Sequence, residues 1–126
     1  MANPSTTGGT GAGTEFLRRT WKRQITSTTQ LISGDASNAN HIYTIISITL
    51  MNKITNASHG IGLYINPDGD VNSDIKILHE DANLVPANST FVFTDKIILT
   101  GADDLWVTLT SSGKFDVWCS YIDQEF

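Results

Sequence analysis

Along this chain apolar residues recur every second position far more often than at helical spacing. From Leu105 to Thr110, Leu105, Val107 and Leu109 share one face, and Phe115, Val117, Cys119 and Tyr121 do the same in the next run. Such alternation predicts antiparallel strands with one face toward a core. Turn residues bound the runs: Gly101-Ala-Asp-Asp104 before the first and Ser111-Ser-Gly113 between the two. Phe91-Val-Phe93 and Ile97-Ile-Leu99 are shorter strands on either side of Thr94-Asp95-Lys96. Upstream, Ile61, Leu63 and Ile65 point inward from a strand ending at the turn signal Asn66-Pro-Asp-Gly69. The longest run, His41 to Asn52, sets Ile42, Thr44, Ile46, Ile48 and Leu50 against Tyr43, Ile45, Ser47, Thr49 and Met51. Both sets are rather apolar, which suits a central strand or one covered on its second face by another subunit. With Ile25–Ile32 and Ile75–Leu78 the count reaches about eight or nine strands, spaced as in a sandwich. The expected fold is all-β: an antiparallel β-sandwich of jelly-roll or immunoglobulin-like topology.

The start of the chain differs from this body. Residues 1–14 form a Gly/Thr/Ser tract without periodicity, which by itself buries too little apolar surface to offset the entropy of ordering. Glu15 to Gln24 reads as a strand with Leu17, Arg19, Trp21, Arg23 and then Ile25 on one side and Phe16, Arg18, Thr20 and Lys22 on the other. Charge divides at the same place. Residues 1–24 carry four basic residues and one acidic, a net of +3, whereas residues 25–126 carry four basic and twelve acidic, a net of −8. The chain therefore divides into a flexible, basic N-terminal arm, residues 1–24, and a sandwich domain, residues 25–126. In the arm, Phe16, Leu17, Arg18, Arg19, Trp21, Lys22 and Arg23 are candidates for gripping a partner, since guanidinium groups seek carboxylates, phosphates or carbonyls. Basic residues interleaved with aromatics also suit a nucleic acid, but the acidic body would repel a polyanion. A protein partner is expected, and no nucleic acid.

At 126 residues, 40% of them hydrophobic, the chain is long enough to bury a core without staples. Its single cysteine, Cys119, excludes an intrachain disulfide and reads as a small buried hydrophobe. There is no 18-residue apolar run, so no membrane insertion is expected, and the polar N-terminus lacks the order of a secretory signal. The sequons at Asn56-Ala-Ser58 and Asn88-Ser-Thr90 therefore carry no weight.

Candidate chemistry is thin. Asp68, Asp70, Asn72 and Asp74 are spaced as at the start of a calcium loop, but Ser73 stands where glycine is needed and His79 where glutamate is. A solvated hairpin loop is the better reading. His41, His59 and His79 share no metal-ligand spacing, and His79-Glu80-Asp81 reads as a charged loop tip. No nucleophile elbow or phosphate loop is present. Neither enzymatic activity, nor a cofactor, nor a metal is expected. Tyr43, Tyr64, Trp106 and Trp118 fall opposite the aliphatic sets of their strands. Three explanations compete: they form an outer face buried by a second copy, which is favoured, or one presented to a glycan, or the faces are assigned the wrong way round.

Most of the chain resembles small all-β virion proteins of tailed bacteriophages, including those infecting cyanobacteria. The residues that carry the resemblance are His41-Ile-Tyr-Thr-Ile-Ile-Ser-Ile48, Gly62-Leu-Tyr-Ile65, Val85-Pro-Ala-Asn-Ser-Thr-Phe-Val-Phe93 and Cys119-Ser-Tyr-Ile-Asp-Gln124. Gly13-Thr-Glu-Phe-Leu-Arg-Arg-Thr20 is similar to the arm of such proteins. The resemblance implies a structural component of the virion, made in the host cytoplasm: a head decoration or cement protein, or one associated with neck or tail. It further implies other virion proteins as partners and a homo-oligomer, commonly a trimer. The alternative function is a tail-borne module recognising host surface glycan.

Overall fold

A computed structural model describes residues 14–126. Ten strands follow one another: β1 (Thr14–Ile25), β2 (Thr29–Ile32), β3 (His41–Asn52), β4 (His59–Asn66), β5 (Ile75–Leu78), β6 (Leu84–Val85), β7 (Thr90–Phe93), β8 (Ile97–Thr100), β9 (Asp104–Leu109) and β10 (Phe115–Glu125). The first sheet has the order β1-β10-β3-β7, with β8 also paired to β3, and the second β2-β9-β4-β5, with β6 also paired to β4. All pairings are antiparallel. The chain crosses between sheets at each of its first three connections and returns at its end to place β10 between β1 and β3. This is the jelly-roll arrangement of the sandwich class. Of the two topologies left open by the sequence, it is the one adopted.

The core lies between the sheets. Phe115, Val117 and Cys119 of β10 meet Ile61 and Leu63 of β4 and Leu105 and Val107 of β9, all essentially without solvent contact. Each such side chain contributes roughly 1.5–3 kcal/mol by leaving water. These are the inward sets that alternation predicts for β4, β9 and β10.

In β3 the expected sets are mixed. Tyr43 and Ile45 are buried, Ile46 is exposed, and Ile48 and Leu50 are buried. The ladder gives the reason: Ile45 pairs with Tyr121 and Ser47 with Ser120, so Ile46 is one residue too many on its strand. A bulge of this kind reverses the facing of every residue beyond it. Tyr43 therefore points into the core, edge-on to Tyr121 at 5.5 Å between ring centroids, and does not belong to an outer aromatic face. Burial, with a smaller contribution from the Asp123 carboxylate, raises the Tyr43 phenol above its ordinary pKa.

The N-terminal segment is the second departure. The strand expected over residues 15–24 is present, but it is built into the first sheet. It pairs with β10 from Thr14↔Glu125 to Lys22↔Val117, and the division at residues 24 and 25 falls inside β1. Gln24 takes a left-handed conformation, φ 52°, and its backbone N–H donates to Asp116 Oδ1 at 2.8 Å. That kink turns Ile25 into the core. The Gly-rich tract, apart from Thr14, lies outside the described residues.

One buried polar side chain secures the end of the sandwich where β3 stops. Asn52 Nδ2 donates to the carbonyls of Ala57 (3.1 Å) and Val85 (3.0 Å), and its Oδ1 accepts the Ile54 N–H at 2.9 Å. The β3–β4 loop, at Ile54 and Ala57, and strand β6 thus depend on one carboxamide. Asn52→Ala leaves these groups unpaired in a dry site and is expected to lower stability by about 2 kcal/mol, seen as a lower urea midpoint with unchanged slope.

Candidate functional site

With β1 in the sheet, the outer surface of the first sheet becomes one continuous face. The cross-strand register aligns Trp21, Trp118, Thr49 and Val92 in one row, and Leu17, Ile122, Thr44 and Ile98 in another. Ile46, displaced outward by the bulge, lies between them. Leu17 is 76% exposed, Ile98 68%, Trp21 54% and Trp118 42%. Exposed apolar side chains grouped in this way make the face a candidate interaction surface.

Two hollows mark the face. One, of about 260 Å³, lies among Trp21, Arg23, Thr49, Met51 and Trp118. The other is lined by Leu17, Arg19, Ile46, Trp118 and Ser120. Cationic groups border both. The Arg19 guanidinium sits over the Trp118 ring at 5.2 Å from its centroid, a geometry that holds it against the surface.

The candidate residues of the N-terminal segment divide between two sides of β1. Leu17, Arg19, Trp21 and Arg23 share the parity of the outer face, opposite Ile122, Ser120, Trp118 and the β10 residues beyond. Phe16, Arg18 and Lys22 have the other parity. Arg18 is engaged within the chain: its Nε donates to Asp123 Oδ2 at 2.7 Å, and its guanidinium lies 4.9 Å from the Phe16 ring centroid. Asp123 is nearly buried, and its other oxygen lies 2.7 Å from His41 Nδ1. This trio ties β1, β10 and β3 together at one end of the sheet, so Arg18 and His41 have a structural use.

The four aromatics expected to form a single face occupy three places. Tyr43 is in the core, and Trp118 is on the outer face of the first sheet. Tyr64 and Trp106 lie on the second sheet, stacked on one another at 6.0 Å and 5° between planes. Trp106 Nε1 is buried there, without a hydrogen-bond partner among the described residues.

The aspartates of the β4–β5 loop serve as turn acceptors. Asp70 accepts the Asn72 N–H and the Ser73 hydroxyl, which lowers its pKa, and Asp74 accepts from Asn66 Nδ2. Asp103 accepts the N–H groups of Asp68 and Thr100. Among the described residues, no group of three or more His, Cys, Asp or Glu is arranged to hold a metal ion, and no helix is long and apolar enough to cross a membrane.

Val92, Ile98 and Ile46 are members of the face that the candidate residues above do not include. The signal for the first two was present, because three successive apolar residues in a strand, as in Phe91-Val-Phe93 and Ile97-Ile-Leu99, must send at least one to each face. Nothing in the sequence marks Ile46, whose exposure depends on the bulge.

No protein-family model matches this chain, and no curated protein matches it in sequence. Solved structures do resemble it in fold. A subunit of Bacillus endospore appendages, described as forming disulfide-linked pili, superposes with a TM-score of 0.56 at 12% identity over 99% of both chains. A protein of infectious bursal disease virus, Gx strain, superposes with a TM-score of 0.53 at 12% identity over 90% of this chain. This chain spans 33% of that viral one. A third match, from the T13 particle of the same virus, has a TM-score of 0.50 at 9% identity and covers 88% of this chain and 35% of that one. At such identities the likeness establishes the shared sandwich fold.

The disulfide linkage of the pili has no counterpart among the described residues, whose single cysteine is Cys119. Cys119 is fully buried, and desolvation pushes its thiol up to about 12. A group with so high a pKa is protonated at pH 8 and offers almost no thiolate. Native Cys119 is expected to react with maleimide at pH 8 at least about a hundredfold more slowly than the same thiol in urea. On a non-reducing gel the chain should run as a monomer.

Proposed function

We propose that this chain is a non-enzymatic structural subunit that assembles non-covalently through the outer face of its first sheet. The observation that carries the reading is the surface shared by Leu17, Trp21, Trp118, Ile46, Val92 and Ile98, bordered by Arg19 and Arg23. Aromatic rings beside guanidinium groups are the composition of interface hot spots. The three fold neighbours described above come from a pilus and a virus, both repeating assemblies, and this supports an assembly role.

The finer reading is a component of a tailed-phage virion, a head decoration or cement protein or a neck- or tail-associated one, with other virion proteins and further copies of itself as partners. It rests on the resemblance of the strand and arm residues quoted above. In this reading the chain is made in the host cytoplasm, and its place of work is the particle. The N-terminal segment anchors it through Trp21 and Arg19, acting from a strand already fixed in the sheet. That arrangement lowers the entropic cost of docking compared with a free arm. The glycan reading has less support, since Tyr43, Tyr64, Trp106 and Trp118 do not share a surface.

Trp21→Ala combined with Arg19→Ala is expected to abolish incorporation, scored as chain retained on purified particles. The far-UV circular dichroism spectrum should remain that of the parent, because both side chains lie on the solvent side of β1. Normal incorporation of the folded double variant would overturn the anchoring role.

A further inference from the structure

β1 is the last strand of its sheet, and among the described residues its far edge pairs with nothing. The edge is long, 12 residues, has no proline, and is straight until the kink at Gln24. Such an edge presents a row of unpaired backbone groups and is a template for another strand. Charges on an edge commonly serve to repel strangers. Here they are ordered in a way that selects a partner.

The outward row of β1 reads Glu15, Leu17, Arg19, Trp21, Arg23. Rotated half a turn about Arg19, the row meets its own complement. Glu15 then faces Arg23, Leu17 faces Trp21, and Arg19 faces Arg19. Resting on the assembly reading above, we infer that β1 pairs antiparallel with β1 of a second copy across a two-fold axis at Arg19. The two five-stranded sheets then join into one, and their apolar outer faces run together across the axis.

The neighbouring registers are poorer. Centred on Arg18, the rows oppose Arg18 to itself, Glu15 to Trp21 and Leu17 to Arg19. Centred on Thr20, they set Leu17 against Arg23 and Arg18 against Lys22. Shifts by a single residue would place core-side positions against solvent-side positions. Of these three axes only the one at Arg19 matches acid with base and apolar with apolar. An axis at Leu17 also sets Glu15 against Arg19 and Leu17 against itself, but it pairs only residues 14–20 of the described strand and gives Trp21 no apolar partner.

Its one like-charged contact, at the axis, is relieved within each copy. The Arg19 guanidinium is drawn back over Trp118 on β10, away from the free edge. Glu15 is oriented by Gln124 Nε2, which donates to its Oε2 at 3.2 Å. On the other side of the ribbon, Phe16 would face Lys22 and Arg18 would face Thr20, with no like charges opposed. An isologous contact of this kind closes on itself and gives an even number of copies, in contrast to the trimer that the phage resemblance implies.

Cysteine scanning tests both the pairing and its register. Residues directly opposed in an antiparallel pair have Cα atoms about 4.5–5.5 Å apart, within disulfide range. Arg19→Cys is therefore expected to give a covalent dimer on mild oxidation. Leu17→Cys alone should not, because its own copy lies four residues along the strand, roughly 13 Å away. Leu17→Cys mixed with Trp21→Cys should cross-link. Light scattering of the unmodified chain should give twice 13.7 kDa. Arg23→Glu should weaken the dimer at least tenfold, and adding Glu15→Arg in the same chain should restore it.

A monomeric mass together with no cross-link at Arg19→Cys overturns the pairing, and a cross-link at Leu17→Cys alone overturns the register. If the chain is monomeric while the Trp21 and Arg19 double variant fails to enter particles, self-pairing falls and the assembly reading stands. If the cross-links form as expected while that variant incorporates normally, the pairing stands and the anchoring reading falls.

Discussion

The rest of the structure depends on β10 being held on both sides. It pairs with β1 along one edge and β3 along the other for nearly its whole length. Its inward residues Phe115, Val117 and Cys119 occupy the middle of the core. Because β10 comes last in the sequence and β1 first, the sheet closes only when residues about a hundred positions apart meet. Such contacts must overcome chain entropy before they are rewarded, which makes the fold cooperative and its formation slow. Asp123 sits at this closure, with Arg18 from β1 and His41 from β3 on its two oxygens. A nearly buried carboxylate needs such partners, since leaving it alone would cost several kcal/mol.

The same closure creates the surface. A strand at the edge of a sheet normally contributes one row of side chains, here Leu17, Arg19, Trp21 and Arg23. Paired to β10, that row extends Trp118, Ile122 and the outward residues of β3, β7 and β8 into one face. The bulge at Ile46 adds a further apolar side chain to it. The sandwich is thus asymmetric: its second sheet covers its own aromatics by stacking Tyr64 on Trp106, whereas the first leaves tryptophans in water. Leaving apolar area exposed is unfavourable for an isolated subunit and favourable for one that spends its working life among neighbours.

Charge follows a related division of labour. Asp70 and Asp103 are engaged by backbone N–H groups of their loops, so part of the acidic charge of the body serves turn formation. The basic residues of β1 form no such turns. Arg18 has an internal carboxylate, while Arg19 and Arg23 lie on the outer side of the strand. The asymmetry between the first 24 residues and the rest therefore has two separate origins, loop architecture in one part and a decorated sheet edge in the other.

The alternation of side chains determined the all-β class, the core sets of β4, β9 and β10, and the buried place of Cys119. These properties follow from a period of two and from hydrophobic burial, both local to a strand. The strand character of residues 15–24 and their parity were legible for the same reason. Tertiary structure alone decided that this strand joins the sheet, because pairing across about a hundred residues leaves no local mark. It also decided the facing of Tyr43 and Ile46, since a one-residue bulge appears only against a partner strand. The apolar outer face belongs to the same category: its rows are assembled from β1, β10, β3, β7 and β8, and no stretch of sequence contains them together.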